Sequence, residues 1–278
     1  MMSVYGGTGF IGSRYASLYS EETTVIERSA VEPATNEVLY FISTVDNYNV
    51  FTNPHLDIDT NLTHLVKVLE SCRERQDVTF NFVSSWFVYG RTNEMPVNEE
   101  SECNPRGFYS ITKRAAEQLL VSYCETFQLK YRILRLCNVY GPGDKKSSKK
   151  KNAMQHIVNE IVAGRDVNLY NDGENVRDFM HVDDVCRAIR TVCNSSLINE
   201  IVNIGTGKPT KILEVAKYAK EKTGSQSSFK SVKPPDFHRI VQVENMYLDV
   251  GKLSSLGFSP SVSLERGIDE LIENARIV

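Results

Sequence analysis

The sequence lacks the cysteine and histidine patterns that structural metal sites require. None of its six cysteines forms a CxxC pair, and its five histidines are not spaced to complete a metal-binding set. Several cysteines stand inside apolar patterns, where a free thiol behaves as a small buried hydrophobic group. We therefore expect a reduced, cytoplasmic protein without a bound metal. The cysteines are Cys72, Cys103, Cys124, Cys137, Cys186 and Cys193.

Long apolar runs and an excess of charge of one sign are also missing. No apolar stretch approaches the roughly 20 residues that a membrane-spanning helix needs. No secretory leader is expected, because the first strand pattern begins almost at residue 1. The formal net charge of −3 gives no reason to expect nucleic acid or an anionic membrane as a partner. The basic run at 145–151 has no aromatic residue and is expected to be a solvated loop.

A glycine-rich segment, SVYGGTGFIG, stands between the first strand pattern and a helix pattern. Gly6, Gly9 and Gly12 allow a tight turn and a close approach of the backbone to a ligand. The helix that begins there offers free N–H groups and the positive end of its dipole to a pyrophosphate. A glycine motif in this context predicts dinucleotide binding, with Phe10 and Ile11 in the same turn.

The end of the next predicted strand, residues 23–29, bears on which dinucleotide binds. Glu27 is placed to accept hydrogen bonds from the hydroxyls of the adenosine ribose, which favours NAD. Arg28 follows it and could instead pair with the 2′-phosphate of NADP. We predict NAD as the cofactor and keep NADP open.

Strand and helix patterns alternate along the rest of the chain. Apolar strand patterns cover residues 37–43, 78–85 and 130–139, and amphipathic helix patterns cover 56–75 and 108–127. This alternation predicts an α/β fold with a Rossmann-type doubly wound parallel sheet. After these units, short helices and strands and a turn-rich tail predict a smaller C-terminal substrate-binding lobe at the carboxyl edge of the sheet.

Tyr109 and Lys113 stand four residues apart on one face of the helix predicted at 108–127. A tyrosine has an unperturbed pKa of about 10, so it acts as a base near neutrality only if its phenolate is stabilised. A lysine ammonium and a nicotinamide cation would both stabilise it. Ser84 and Ser85 end a predicted strand and supply hydroxyls at the edge of the cofactor cleft. We take Tyr109 and Lys113 as catalytic candidates, with Ser84 or Ser85 as the accompanying hydroxyl.

Five motifs in chain order resemble those of the extended short-chain dehydrogenase/reductase family. More narrowly, they resemble its NAD-dependent epimerase/dehydratase group, which acts on nucleotide sugars. The motifs are GGTGFIG, SSWFVYG, Tyr109-x-x-x-Lys113, RLCNVYGPGD and VRDFMHVDDV. The resemblance covers nearly the whole chain and implies a homodimer formed through the helices at 56–75 and 108–127.

The resemblance also implies one extended unit over residues 1–278. Its cofactor-binding core would span about 1–150 with parts of 175–207. Its substrate-binding lobe would span about 151–174 and 208–278. A nucleotide sugar would bind between the two.

The same resemblance implies a role for each matching residue. Tyr109 would exchange a proton with a sugar hydroxyl, Lys113 would bind the nicotinamide ribose, and Ser85 would hydrogen-bond the same sugar oxygen. Further cofactor contacts would come from Phe41, Ile42, Ser43 and Asn61. The nucleotide sugar would contact Ser85, Trp86, Phe87, Asn138, Arg177 and Arg239. The two arginines would pair with the diphosphate, unless they pair with Asp178 or Asp236 instead.

Two features of the chain depart from the pattern of that family. Only about a dozen residues separate Glu27 from the next strand pattern, where family members usually place a helix and another strand. We therefore expect a sheet with one strand fewer and a more open adenine pocket. Trp86 and Phe87 follow Ser85, where dehydratases and some decarboxylases carry carboxyl residues. Aromatic side chains cannot transfer protons, so dehydration and decarboxylation are not expected.

Three functions remain open. The first is an epimerase that oxidises the 4-hydroxyl of a nucleotide hexose with NAD and returns the hydride to the other face of the 4-keto sugar. The second is a reductase of nucleotide 4-keto-6-deoxyhexoses that consumes NADH or NADPH. Both use the same Ser, Tyr and Lys, and Glu27 slightly favours the first. The third is a non-catalytic family member that senses the cofactor, against which the intact catalytic candidates argue. The family alone implies a role in polysaccharide or glycoconjugate precursor synthesis.

Overall fold

The computed structural model describes residues 1–92, 94–144 and 153–277. The basic run at 145–151 lies outside the described residues. Among the helices of the described ranges, none is long and apolar enough to cross a membrane.

The strands are β1 (Met2–Tyr5), β2 (Thr23–Ile26), β3 (Glu37–Tyr40), β4 (Thr79–Ser85), β5 (Lys130–Leu136), β6 (Asn138–Tyr140), β7 (Val167–Tyr170), β8 (Val176–Arg177), β9 (Phe179–His181), β10 (Glu200–Ile204), β11 (Thr210–Lys211) and β12 (Phe229–Val232). The α-helices are α1 (Phe10–Leu18), α2 (His55–Ile58), α3 (His64–Cys72), α4 (Phe108–Thr126), α5 (Ala153–Val162), α6 (Val182–Cys193), α7 (Ile212–Thr223), α8 (Asp236–Val241), α9 (Gly251–Ser255) and α10 (Leu264–Ile277).

The largest sheet has six parallel strands in the order β10-β5-β4-β3-β1-β2. The chain starts in β1, adds β2 on one side, and then crosses to β3 on the other side. This reversal opens a crevice at the carboxyl ends of β1 and β3, where sheets of this kind bind ligands. The predicted Rossmann-type doubly wound parallel sheet is confirmed.

Two apolar layers cover the sheet, because neighbouring side chains of a strand point to opposite faces. In β1, Val4 belongs to the layer that contains α6, whereas Tyr5 belongs to the layer that contains α3 and α4. The helix α4 packs on the sheet through Ala116, Leu120 and Cys124, which are fully buried. This packing fixes the position of the helix that carries the predicted catalytic pair.

Residues 27–36 connect β2 to β3 without a helix or a strand. The backbone oxygen of Val31 accepts hydrogen bonds from Tyr5 Oη at 2.6 Å and from Ser71 Oγ at 2.8 Å, which ties the segment to the sheet and to α3. Because residues 27–36 add no strand beside β2, β2 is the edge strand of the sheet. The expectation of one strand fewer between Glu27 and β3 is confirmed.

A third apolar cluster lies beyond the carboxyl edge of the sheet. It contains buried residues of α5, α7 and α10, among them Ile157, Ala216 and Leu271. It also contains Tyr140 and Phe179, which belong to the paired strands β6 and β9. The C-terminal part of the chain therefore has a core of its own and packs against the main sheet through these two strands.

Candidate active site

A cavity of about 1060 Å³ lies at the carboxyl edge of the sheet. Ligand pockets usually measure about 300–1,000 Å³, so this cavity has room for a large ligand or for two ligands. The predicted site residues that line it are Gly6, Gly9, Phe10, Ile11, Gly12, Phe41, Ser43, Ser85, Trp86, Phe87, Tyr109, Lys113, Asn138 and Arg177. The predicted site residues outside its lining are Glu27, Arg28, Ile42, Asn61 and Arg239.

The glycine-rich turn brings the backbone to one part of the cavity wall. Gly6 has a φ of +78°, a left-handed conformation that glycine adopts without strain. A Cβ atom at Gly12 would lie 2.3 Å from the backbone oxygen of Gly6, so a larger residue could not keep the turn closed. The helix α1 begins after Gly9, and among the described residues no side chain caps its N-terminus. These free N–H groups fit the pyrophosphate of a dinucleotide.

The charged residues at the end of β2 lie on the surface. Glu27 and Arg28 are exposed, and neither lines the cavity. Phe41 and Ser43 follow β3 and do line it, whereas Ile42 packs into the apolar layer under α3 and α4. The part of the site expected to hold adenosine therefore has solvent on the side of the edge strand.

The catalytic candidates converge on one wall of the cavity. Ser85 ends β4, and its side chain lies close enough to Tyr109 to lower the pKa of that phenol. Tyr109 and Lys113 are one turn apart in α4, and both side chains are buried. Lys113 Nζ donates to the backbone oxygen of Val83 at 2.7 Å and lies 3.9 Å from the centre of the Phe82 ring. The ends of β4 and α4 thus place a serine hydroxyl, a phenol and an amine together.

Burial shifts the pKa values of the two α4 side chains in opposite directions. It raises the pKa of Tyr109 to about 12, with the neighbouring Ser85 side chain acting against the rise and the charge of Asp57 adding to it. It lowers the pKa of Lys113 to about 7, against the attraction of Glu117. A tyrosine with this pKa becomes a base near neutrality only when positive charge lies beside it.

Asn61 stands in a π-helical turn, Asp59–Thr63, between α2 and α3. Such turns often occur at functional positions. Its Nδ2 donates to Thr44 Oγ1 at 2.8 Å and to Thr112 Oγ1 at 2.9 Å, and its Oδ1 accepts from Ser43 Oγ at 3.1 Å. Asn61 therefore joins the loop after β3 to α4 and supports the cavity wall from behind.

Trp86 and Phe87 form an aromatic wall directly after Ser85. Their rings are stacked with centroids 3.9 Å apart, and Phe87 meets the ring of Tyr109 edge-on at 6.1 Å. The guanidinium carbon of Arg177 lies 5.4 Å from the centre of the Trp86 ring. This wall supplies apolar surface and no proton-transfer group, as the sequence predicts.

Arg177 places a half-buried cation in the cavity. Its guanidinium donates hydrogen bonds of 2.7 Å to the backbone oxygens of Val176, Val243 and Glu244. Among the described residues it has no carboxylate partner, and Asp178 instead accepts hydrogen bonds from backbone N–H groups. Burial lowers the pKa of Arg177 to about 10. The arrangement suits an anionic ligand.

Arg239 does not face the cavity. Its side chain is exposed and lies 3.4 Å from Asp236, the alternative that the sequence left open. Lys233 and His238 line the cavity instead, and the His238 ring packs 4.8 Å from that of Tyr170. Burial, together with the charge of Arg177, lowers the pKa of His238 to about 4. The expectation that Arg239 contacts a diphosphate is thus not supported, and sequence reasoning missed Lys233 and His238.

The chain is similar over nearly its whole length to a protein of Methanocaldococcus jannaschii that is provisionally named UDP-glucose 4-epimerase. The two are 29% identical over 304 aligned positions, which cover 98% of this chain and 97% of the relative. This chain has 278 residues, so at least 26 of those positions have no residue here. The shortened connection between β2 and β3 agrees with this difference.

Solved structures resemble the whole fold. The UDP-glucose 4-epimerase of Thermotoga maritima, solved with UDP-glucose, has a TM-score of 0.89 at 27% identity and covers 99% of this chain and 98% of its own. The UDP-glucose 4-epimerase of Thermus thermophilus, solved with NAD, has a TM-score of 0.86 at 25% identity, with coverage of 99% and 98%.

The model of the NAD dependent epimerase/dehydratase family matches residues 34–205. This range is more than half of the chain, and it contains Ser85, Tyr109, Lys113 and Arg177. The motifs that resemble this family in the sequence are therefore matched by a fold and a set of cavity residues in the structure. The chain belongs to the NAD dependent epimerase/dehydratase family.

Proposed function

We propose that the protein is an NAD-dependent epimerase that inverts C4 of a nucleotide hexose through a transient 4-keto sugar. The observation that carries this proposal is the convergence of Ser85, Tyr109 and Lys113 with the glycine-rich turn on one cavity. The relatives that bear the name UDP-glucose 4-epimerase support it. They make a uridine diphosphate hexose the first substrate to test.

Each residue of the group has a distinct task in the proposed reaction. Ser85 and Tyr109 hold the 4-hydroxyl of the sugar, and Tyr109 takes its proton on oxidation and returns one to the keto oxygen on reduction. Lys113 binds the nicotinamide ribose and, as an ammonium ion, stabilises the phenolate. Arg177 holds the diphosphate with its guanidinium. When bound, NAD supplies the hydride acceptor and donor together with one positive charge.

The pKa of Tyr109 sets how much stabilisation the phenolate needs. Lowering that pKa from about 12 to near 7 corresponds to about 7 kcal/mol. One positive charge at about 4 Å contributes about 4 kcal/mol at an effective dielectric constant of about 20. A single cation at that distance would provide roughly half of the stabilisation, so the proposed base needs both the Lys113 ammonium and the nicotinamide cation.

The aromatic side chains of Trp86 and Phe87 argue against dehydration as the reaction. Dehydration needs a second acid or base beside the sugar ring, and Trp86 and Phe87 provide none. Trp86 is 2% exposed and stacks on Phe87, whose partly exposed ring offers an apolar surface on which a 4-keto sugar can rest with either face toward the hydride. Rotation of the keto sugar in the wide cavity is what epimerisation requires.

The experiment that tests the proposal follows sugar and cofactor together. Purified protein is incubated with NAD and with UDP-, dTDP-, GDP- and CDP-hexoses, while products are identified by NMR and NADH by absorbance. We expect C4 epimers to interconvert without net formation of NADH. Formation of NADH in proportion to product would contradict an epimerase.

A 4-keto sugar reductase is the second candidate, and one observation favours it. Glu27 and Arg28 are exposed at the edge strand, and an open adenosine site suits a cofactor that must exchange in every turnover. The same panel, with 4-keto sugars and NADH or NADPH, distinguishes the two functions. Loss of reduced cofactor in proportion to product would establish the reductase.

We also propose that the chain has the two functional parts that the sequence implies. The cofactor-binding core spans about 1–150 and parts of 175–207. The substrate-binding lobe spans about 151–174 and 208–278. The third apolar cluster supports this division, because it lies almost entirely in the proposed lobe. Lys233 and His238 belong to the same lobe and line the cavity.

The homodimer stays a proposal, and burial within the protomer limits which apolar residues of the two helices its interface can use. Leu65, Leu69 and Leu120 are fully buried within the protomer and so are not available for an interface. Ile111 and Leu119 of α4 are 46% and 42% exposed and offer apolar surface for a second copy. Light scattering at micromolar concentration would show twice the mass of one chain if the proposal holds, and a monomer would contradict it.

A further inference from the structure

A fully buried ion pair lies under the catalytic wall. Glu117 in α4 and Arg135 in β5 have side-chain exposures of 0% and 1%. Arg135 donates from Nε to Glu117 Oε1 at 3.0 Å and from Nη2 to Oε2 at 2.8 Å. The carboxylate also accepts hydrogen bonds from Ser84 Oγ at 2.5 Å and from Arg114 Nη1 at 2.9 Å. Breaking such a pair is costly, because a single buried charge is left without compensation.

The pair joins the elements that carry the catalytic candidates. Glu117 stands one helical turn after Lys113 and two turns after Tyr109 on the buried face of α4. Ser84 and Arg135 face each other in the register of β4 and β5, one position before Ser85. Neither Glu117 nor Arg135 lines the cavity, so the pair can act on the reaction only through its neighbours.

Glu117 is the charged group that most favours the ammonium form of Lys113. Lys113 is 2% exposed, and burial lowers its pKa while the charge of Glu117 raises it. Arg135 holds the same carboxylate through two hydrogen bonds. The other titratable or charged groups near this pair and the catalytic candidates are Asp57 of α2, Tyr89 after β4, Glu99 and Cys103 before α4, and Arg114 of α4.

We propose that Glu117, held in place by Arg135, is a positioning residue that keeps Lys113 in its ammonium form and fixes α4 against Ser85. This inference rests on the proposed function for its effect on turnover. Its electrostatic part concerns the charge state of Lys113 alone and does not depend on which sugar is bound. The hydrogen bond of the carboxylate to Ser84 couples the same group to the strand that carries Ser85.

The variant Glu117→Gln keeps the shape of the side chain and removes its charge. Without that charge the ammonium form of Lys113 is less stable, so its pKa falls by about one unit or more. The amine therefore becomes neutral at a lower pH. We expect the alkaline limb of the pH profile of kcat/KM to move to lower pH by the same amount. Glu117→Asp retains the charge and should keep the wild-type limb even if its rate is lower.

A second readout needs no substrate. The lysine side chains are labelled with carbon-13, and the signal of Lys113 is identified by its absence in Lys113→Met. We expect this signal to titrate at lower pH in Glu117→Gln than in the wild-type protein. If it does, and no sugar of the panel reacts, the inference about Lys113 stands while the proposed function fails.

The matched control is Arg132→Met, which removes the other buried arginine of β5, 3.7 Å from Glu37. It should lower stability and leave the titration of Lys113 unchanged.

Should Glu117→Gln fail to fold, Arg114→Met removes a partly exposed cation from the same carboxylate and should move the titration of Lys113 to higher pH. A folded Glu117→Gln with an unchanged Lys113 titration and an unchanged pH profile would overturn the inference, as would an Arg114→Met titration that does not move.

Discussion

Tyr109 and Lys113 are both almost fully buried, and the proposed chemistry asks each to carry charge. Burial opposes both charged forms, since it raises the pKa of Tyr109 and lowers that of Lys113. In the proposed reaction the charged forms would support each other, because a phenolate and an ammonium ion attract. The proposed proton transfer therefore depends on the two side chains as a unit.

Replacing Tyr109 by Phe tests that unit directly. The ring keeps its place and loses the only group that can exchange the proton, so we expect turnover to fall by about 10²- to 10⁴-fold. NAD binding, measured by calorimetry, should change little. The matched control is Tyr123→Phe, the same substitution on the outer part of the same helix, which should retain full turnover. Undiminished turnover in Tyr109→Phe would remove the tyrosine from the mechanism and raise the non-catalytic alternative.

Arg177 is expected to act on binding and not on chemistry. Truncating one member of a buried charge pair costs about 2 kcal/mol or more, which corresponds to a rise in KM for the nucleotide sugar of about 30-fold or more in Arg177→Met. The value of kcat should change much less. Arg239→Met, an exposed arginine outside the cavity, should leave both constants unchanged. An effect of Arg239→Met equal to that of Arg177→Met would contradict this placement of the diphosphate.

The sequence predicts which catalytic candidates share the cavity better than it predicts which residues of the lobe line it. Ser85, Tyr109 and Lys113 sit on long elements whose period reveals which side chains share a face. Arg239 and His238 sit on α8, a helix of six residues after two prolines, and so short an element shows no readable period. Adjacent helical residues point about 100° apart, and this rotation turns His238 into the cavity and Arg239 away from it.

Of the elements that form the predicted cofactor site, the glycine-rich turn and α1 leave the least space for a side chain at a glycine position. A Cβ at Gly12 would lie 2.3 Å from the backbone oxygen of Gly6, closer than any real Cβ contact. The turn must open to admit Gly12→Ala, which displaces the free N–H groups of α1.

The helix predicted at 56–75 is interrupted in the structure by the π-helical turn at Asp59–Thr63, which apolar periodicity does not reveal.

For Gly12→Ala we expect a loss of NAD affinity together with a lower free energy of unfolding, by about 1–3 kcal/mol. Calorimetry with NAD and denaturant unfolding measure the two effects. Ser17→Ala, at an exposed position of the same helix, should change neither. Wild-type NAD affinity in Gly12→Ala would show that this turn does not hold the pyrophosphate.

At the scale of the whole molecule, the sheet ends at β2 because residues 27–36 form no helix or strand. The sequence predicts this shortening from the spacing between Glu27 and the next strand pattern alone. The path of the segment is not predictable in this way, since it depends on the hydrogen bonds that Tyr5 and Ser71 make to Val31. The missing unit removes protein from the side of the cleft where adenosine is expected.

We therefore expect the protein to exchange NAD with solution instead of retaining it through purification. Fewer protein contacts to the adenosine half leave more of its surface in water and weaken binding. Chromatography of the acid-released nucleotide, before and after extensive dialysis, measures the retained fraction. Recovery of one NAD per chain after dialysis would contradict an open adenosine site.

The proposed reaction has one direct signature, the path of the hydrogen at C4. A UDP-hexose that carries deuterium at C4 is incubated with the protein and NAD in ordinary water, and the product is examined by NMR and mass spectrometry. We predict that the inverted product keeps deuterium at C4, because the same hydride returns to the opposite face of the keto sugar. Appearance of the deuterium in free NADH or in water, or a product that bears ordinary hydrogen at C4, would contradict epimerisation by transient oxidation at that carbon.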